Sequence, residues 1–327
     1  MNVLVTGGAG YIGANAAHAL AAAGHRPIVF DDFSRGHRGF AAGFDVVEGD
    51  VTRPNDVDRA FSKHAIGAVV HFAALTEVGE SVRAPAEFYR VNVGGTACLL
   101  SAMRRAGVDR IVFSSSAAVY GAPAKTPIPE DHELEPVNPY GRTKLAVEEL
   151  LAKCEAAYGL RFAALRYFNA AGASPELPCG EWHDPETHLV PNALRAAAGL
   201  LPCLELYGTD HPTKDGTAIR DYVHVFDLAN AHVAALELLG EAPGGHRLNL
   251  GTGRGFSVRE VVDAARRVTG VEIPVKTLPI REGDPPALVA DPSKAKQLLG
   301  FAPRLTRIDD IVASAWEWYG KNGFERR

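Results

Sequence analysis

Tyr140 and Lys144 stand four residues apart in Asn138-Pro139-Tyr140-Gly141-Arg142-Thr143-Lys144. Asn138 suits an N-cap and Pro139 a first helical position, so a helix is predicted to start here with both side chains on one face. Such a pair recurs by chance, and the segment upstream raises its weight. Phe113-Ser114-Ser115-Ser116 closes an apolar run that reads as a parallel strand, and α/β sheets bind ligands at the carboxyl ends of such strands. A serine there, with a tyrosine and a lysine on the next helix, makes a proton-transfer set. A phenol ionises near pH 10, so a base working near pH 7 needs a shift of roughly 3 units, about 4 kcal/mol. A positive charge about 5–6 Å away contributes on the order of 3 kcal/mol at an effective dielectric of about 20. Lys144 and one further cation therefore suffice, before desolvation opposes them.

The start of the chain points to that second cation. Val3-Leu4-Val5-Thr6-Gly7-Gly8-Ala9-Gly10-Tyr11-Ile12-Gly13 reads as strand, glycine turn and helix. The glycines Gly7, Gly10 and Gly13 permit a tight turn, a close backbone approach to a pyrophosphate, and close helix–strand packing, with the pyrophosphate on the free N–H groups of the helix. The second strand ends at Asp31, eighteen residues past Gly13. A carboxylate there accepts from a ribose 2′-hydroxyl and repels a 2′-phosphate, which indicates NAD rather than NADP. Arg35 could serve a 2′-phosphate, but Asp31 argues against it. Asp50-Val51 is placed to reach the adenine, although a loop cap explains it nearly as well. The oxidised nicotinamide is then the second cation, and a tyrosinate is expected with NAD⁺ bound.

The elements that must hold these groups alternate. Asn2–Thr6, Pro27–Asp31, Asp45–Glu48, Ala68–Ala73, Arg110–Ser115 and Arg161–Tyr167 read as buried strands. Residues 12–23, 54–63, 85–106 and 139–158 between them have helical spacing. This pattern predicts a Rossmann-type doubly wound parallel sheet with right-handed crossovers, and a smaller, interleaved C-terminal substrate-binding lobe. Residues 1–170, with later segments such as 216–250, would form the NAD-binding unit, and 171–327 mostly the lobe. Ser174–Asp215 carries six prolines and few periodic runs, so loops are expected there. Helices are expected over Asp221–Glu241, Ser257–Gly270, Asp291–Gly300 and Ile308–Tyr319.

Composition excludes several classes. A chain of 327 residues with net charge −5 and no Lys/Arg block longer than Arg104-Arg105 is a poor nucleic-acid binder. Cys98, Cys154, Cys179 and Cys203 lie far apart without a CxxC pair, which fits a reducing cytoplasm. The chain runs into glycine within a few residues of Met1, so no secretory leader is expected, and no run of about 18 apolar residues suggests a membrane span.

Taken with Val5–Gly13, the segments His71-Phe72-Ala73-Ala74, Gly79-Glu80-Ser81, Ser114–Gly121, Asn138-Pro139-Tyr140, Leu165-Arg166-Tyr167-Phe168-Asn169, Asp215-Gly216-Thr217, Arg220-Asp221-Tyr222-Val223-His224-Val225 and Arg281-Glu282-Gly283-Asp284 carry a family likeness. The chain resembles the extended short-chain dehydrogenase/reductase superfamily and, within it, the UDP-glucose (UDP-galactose) 4-epimerases. The resemblance implies that Tyr11, Ile12, Asp31, Asp32, Phe33, Ser34, Arg35, Gly36, Asp50, Val51, Phe72, Ala73, Ala74, Leu75, Thr76, Asn92, Ser114 and Phe168 line the NAD. It implies that Ser116 bonds the sugar O4, that Tyr140 is base and acid, and that Lys144 holds the nicotinamide ribose. Asn169, His188, Leu189, Glu205, Tyr207, Arg220, Arg281 and Asp284 would hold the UDP, the two arginines as bidentate forks for the pyrophosphate or else as plain salt bridges. Leu288 would border the sugar. The reaction implied is oxidation at C4, rotation of a 4-keto sugar and reduction on its other face.

The chain departs from this pattern at Thr76, where many relatives have lysine, and at His188, where some have asparagine. A 4,6-dehydratase is disfavoured because Ser116-Ala117-Ala118 lacks the Asp-Glu pair of those enzymes. A UDP-pentose or UDP-N-acetylhexosamine 4-epimerase stays open, and so does a non-catalytic NAD-binding regulator, although both Tyr140 and Lys144 are present. His183, Asp184, Glu186 and His188 are close in sequence, but without helical spacing no metal site is expected. Helices 85–106 and 139–158 are expected to pair with a second copy, as in the family's homodimers.

Overall fold

The computed structural model describes residues 1–174, 176–281 and 283–324. Its largest element among them is a seven-stranded, all-parallel sheet. β1 (Asn2–Thr6), β2 (Arg26–Asp31) and β3 (Asp45–Glu48) run outward on one side. β4 (Ile66–His71), β5 (Arg110–Ser116) and β6 (Arg161–Tyr167) run outward on the other. The spatial order is β10-β6-β5-β4-β1-β2-β3, where β10 is Gly245–Leu250. The order reverses between β1 and β4, which opens a crevice at their carboxyl ends. The inner strands are rich in Val, Ile, Leu and Phe because helices cover both faces; β3, expected to be buried, is instead a mostly exposed edge strand in which only Val47 is buried. One face packs Leu4, Ile28, Val69, Ile111 and Phe162, the other Val3, Val70, Val112, Leu165 and Leu248.

The crossovers are α1 (Tyr11–Ala22), α2 (Pro54–Lys63), a broken segment between β4 and β5, and α6 (Pro139–Tyr158). The broken segment corrects the single helix expected over 85–106. It contains α3 (Val78–Arg83), α4 (Pro85–Phe88), a π turn at Tyr89–Gly94 and α5 (Gly95–Arg105). The π turn puts buried Asn92 where its amide bonds both carbonyl and N–H of Leu75 and the hydroxyl of Thr143.

Beyond β6 come β7 (Asn169–Ala171), α7 (Leu189–Ala197), β8 (Leu204–Tyr207), β9 (Ile219–His224) and α8 (Val225–Glu241). After β10 follow β11 (Gly255–Ser257), α9 (Val258–Thr269), β12 (Val275–Leu278), β13 (Ala287–Leu288), α10 (Ser293–Leu299) and α11 (Ile308–Asn322). Two expectations are corrected here. Residues 221–224 are strand, not helix: Asp221 is fully buried and accepts from Thr252, Gly253 and Ala290, while His224 caps α8 by accepting from Phe226 N–H. α7 forms inside the proline-rich stretch because Pro191 falls in its first turn, where a missing N–H costs nothing. A separate core around Trp318, Phe40, Leu194, Phe256 and Ile311 fills the lobe. The four cysteines are free, and no helix among the described residues is long and apolar enough to cross a membrane.

Candidate active site

The glycine turn lies at the crevice. Gly7 has φ +67°, and a Cβ on it would come 2.6 Å from the Ala73 nitrogen. A Cβ on Gly13 would meet the Gly7 carbonyl oxygen at 2.2 Å, so α1 can approach β1 this closely only with glycine. α1 starts after Gly10 with no side-chain cap and no acid in its first turn. Its first N–H groups are therefore open to an anion, which is the fit a dinucleotide pyrophosphate requires. Tyr11 is buried with its hydroxyl on the Gly172 carbonyl, and Ile12 packs on the sheet core, so this turn offers main chain to a ligand.

Asp31 ends β2, as expected, and its oxygens accept from Ala9 N–H and Phe33 N–H at 2.9 Å each. Burial raises its pKa against those two bonds. One lone pair per oxygen remains for a ribose hydroxyl. A Cβ on Gly36 would lie 2.6 Å from Asp31 Oδ1, which keeps this wall glycine. Asp32 caps Ser34, and Arg35 bonds Glu80 and the Asp184 carbonyl, so Arg35 is occupied by protein groups. Asp50 caps Thr52 through its Oδ1, the loop-cap alternative, and Val51 is buried beside it. The Phe72 ring lies against His232 at a tilt of 42°, while Ala73, Ala74 and Leu75 form the partly buried loop that Asn92 ties down. Thr76 is exposed at its end.

The residues expected to form the proton-transfer set meet at the end of β5. α6 begins with Asn138 accepting from Gly141 N–H and Pro139 at its first position, as the sequence indicated. Lys144 is 2% exposed and donates to the Ser114 carbonyl at 2.7 Å, with its Nζ 5.7 Å from the centre of the Tyr140 ring. Burial lowers its pKa to about 7. Burial also pushes the Tyr140 phenol up to about 12; the hydrogen bond to Ser116 works against this and the nearby Glu77 carboxylate adds to it. Without a cofactor the pocket thus holds Tyr140 protonated, and the lysine is only partly charged near neutral pH. Phenolate needs the further cation that the sequence argument called for.

Five expected nucleotide contacts converge on the lobe. Arg220 and Arg281 both pair with Asp284, Arg281 at 3.4 Å. This is the salt-bridge arrangement, with Arg220 mostly buried and Arg281 exposed. The Arg281 guanidinium lies 4.7 Å from the centre of the Tyr207 ring, and Tyr207 donates to Glu205 at 2.8 Å. Leu288 pairs in register with Arg220 and packs against the small core that contains Ala117, Val119, Tyr120, Ile128, Phe168 and Ala290, joining the lobe to the segment after β5. Asn169 opens β7 beside Tyr222. Glu282 lies outside the described residues. His188 precedes Leu189 at the start of α7, but its Nδ1 faces Glu181 at 2.9 Å and Glu186 at 3.3 Å.

That last contact corrects the spacing argument used against a metal set. The loop folds back so that Glu181, His183, Glu186 and His188 bring donor atoms within 4.8 Å of one another; Glu181 was missed, and Asp184 is not part of the set. Glu77 was missed as well: it accepts from Thr187, 110 residues away, and adds negative potential at Tyr140. A buried pair, Arg166–Glu148 at 2.7 Å, also accepts the Ser115 hydroxyl and reaches Tyr120. Only contacts remote in sequence reveal these roles.

The comparisons with known proteins agree with this geometry. Residues 3–251 match the model of the NAD dependent epimerase/dehydratase family. A UDP-glucose 4-epimerase of Rhizobium leguminosarum bv. trifolii is 48% identical over 320 residues, covering 98% of both chains. The crystal structure of the UDP-glucose 4-epimerase from Brucella ovis in complex with NAD superposes with TM-score 0.94 at 51% identity, covering 100% of this chain and 99% of that one. That of the Bifidobacterium longum enzyme in complex with NAD⁺ and UDP gives TM-score 0.94 at 38% identity, covering 99% and 100%. By its glycine turn, its seven-stranded sheet and these matches, the chain belongs to the NAD dependent epimerase/dehydratase family.

Proposed function

We propose that the chain is an isomerase that interconverts UDP-glucose and UDP-galactose by NAD-dependent 4-epimerisation through a transient 4-keto sugar. The observation that carries this reading is the meeting of Tyr140, Ser116 and Lys144 at the end of β5, beside the uncapped start of α1. NAD, held by the turn 7–13, Asp31 and the loop 72–76, would supply a reversible hydride acceptor for C4. Tyr140 takes the proton of the C4 hydroxyl and gives it back, Ser116 orients that hydroxyl, and Lys144 supplies positive charge to the phenol and a donor to the cofactor ribose. Asp31, Asp50 and the loop 72–76 bound the cofactor, while Arg220, Arg281, Tyr207, Asn169 and Leu189 face the UDP. In this division of labour the large sheet, with α8 and β10, carries NAD, and the lobe carries the UDP-sugar.

The reading includes a homodimer in the cytoplasm; the exposed Tyr89, within the 85–106 segment expected to pair, supports the dimer. Light scattering on the purified protein gives the assembly state. The activity test adds UDP-galactose to purified protein and follows UDP-glucose in a coupled assay. Turnover is expected; none, with NAD still bound, would favour the non-catalytic regulator.

A further inference from the structure

The loop between β7 and α7 gathers two imidazoles and two carboxylates in a group outside the proton-transfer set. We propose that Glu181, His183, Glu186 and His188 form a tetrahedral site for a divalent transition metal of the zinc class. Nδ1 of His188 lies 2.9 Å from Glu181 and 3.3 Å from Glu186, and Nδ1 of His183 lies 3.4 Å from Glu186 and 3.9 Å from Glu181. These separations, with Glu186 turning Oε1 to His188 and Oε2 to His183, scatter about the roughly 3.4 Å edge of a tetrahedron with zinc–ligand bonds of about 2.0–2.1 Å. The four donors together lie within 4.8 Å, so a metal would draw them in by small side-chain movements.

The surroundings point the same way. The two carboxylate side chains are only 6% and 3% exposed, and buried like charges side by side call for a cation between them. Nδ1 of His183 is buried and makes no hydrogen bond, though it faces the Glu186 carboxylate. Both imidazole side chains are partly exposed, which leaves an entry path from solvent. Two imidazoles favour zinc, cobalt or nickel over magnesium, and no thiolate belongs to the set.

The frame around the donors is built. Arg35 bonds the Asp184 carbonyl, Asn192 bonds the Glu186 carbonyl, Tyr319 bonds the Glu181 carbonyl, and Thr187 bonds Glu77. Four protein ligands without an open position make a structural site. The metal would clip the 181–188 loop to the start of α7.

The test uses the whole purified protein with its cofactor and Zn²⁺ or Co²⁺ as probes. After loading and dialysis against metal-free buffer, one zinc per chain is expected by elemental analysis. Co²⁺ is expected to give the intense visible absorption of a tetrahedral ion, bleached by added Zn²⁺. His183→Ala and Glu186→Gln are each expected to weaken zinc binding by more than about 100-fold, beyond the roughly 10–100-fold cost of losing an outer-shell partner. Glu186→Gln keeps an oxygen for the N–H groups of Thr187 and His188, so it tests the ligand even if the alanine variant misfolds. The proposal is overturned by no stoichiometric zinc on the wild-type protein, as a purely internal His–Glu ion-pair network would give. An octahedral cobalt spectrum, or a folded Glu186→Gln protein that binds zinc as tightly as wild type, overturns it equally.

Discussion

Nζ of Lys144 stands 5.7 Å from the centre of the Tyr140 ring, one helical turn along α6. At that distance one positive charge is worth about 3 kcal/mol to a phenolate at an effective dielectric of about 20. It cannot alone undo a burial that holds Tyr140 at about 12. The helix brings lysine and phenol together, and the bound cofactor must complete the field.

Tyr140→Phe should therefore keep NAD and UDP-sugar binding while kcat falls by about 10²–10⁴-fold, the usual worth of a positioned acid–base group. Turnover within about threefold of wild type would remove Tyr140 as the base.

Glu77 gives a pH test. Its carboxylate raises the Tyr140 pKa, so neutralising it in Glu77→Gln favours the phenolate. The sign follows directly: with less negative potential, the phenol ionises at lower pH, and the acid limb of the kcat profile moves to lower pH. The glutamine still accepts from Thr187. An acid limb that stays put or moves upward would contradict the assignment.

Asp31 is proposed to set cofactor choice. A buried carboxylate beside the 2′-position should prefer NAD over NADP by at least about tenfold, about 1.4 kcal/mol. Arg35 cannot compensate readily, being tied to Glu80 and Asp184. Reconstitution of cofactor-free protein with each dinucleotide measures this; equal affinities would dismiss it.

Leu288 is proposed to gate the sugar. It packs against the core that includes Ala117, the residue after Ser116, and as a plain hydrocarbon offers an N-acetyl group no hydrogen bond. UDP-glucose and UDP-galactose should be preferred over the N-acetylated pair by roughly tenfold or more in kcat/KM, with Leu288→Ser narrowing the gap. Equal native values, or no gain from serine, would assign Leu288 to packing alone.

The Arg166–Glu148 pair makes a stability prediction. Both side chains are 1% exposed, so Glu148→Ala leaves a guanidinium buried without its partner. A loss of about 3–5 kcal/mol is expected in urea unfolding. A loss below about 1 kcal/mol would mean that Tyr120 and the Glu130 carbonyl satisfy Arg166 by themselves.

The parts legible in the sequence are those with local causes. Strands β1, β2, β4, β5 and β6 are largely buried apolar runs because both sheet faces are covered there, and α6 announces itself through Asn138 and Pro139. The misread parts depend on remote partners. Asp221 looked like a helix start, but the turn at Thr252 and Gly253 holds it in a strand. Asn92 looked like one more helical residue, yet its bonds to Leu75 and Thr143 accompany a π turn. His188 stays a candidate for the UDP, but the hold of Glu181 and Glu186 on its Nδ1 is equally invisible in the local sequence. No local pattern encodes such pairings.

The position of β10 has a consequence for how the chain emerges from the ribosome. Six of the seven sheet strands are complete by Tyr167, but the partner of β6 begins only at Gly245, 78 residues later. At roughly 5–20 residues per second, synthesis of that interval takes about 4–16 s. During this time the outer edge of Arg161–Tyr167, a strongly apolar strand, is an unpaired template for a neighbouring nascent chain. The late strand is thus what ends a window of aggregation risk, and a truncation before residue 245 would leave that window open permanently.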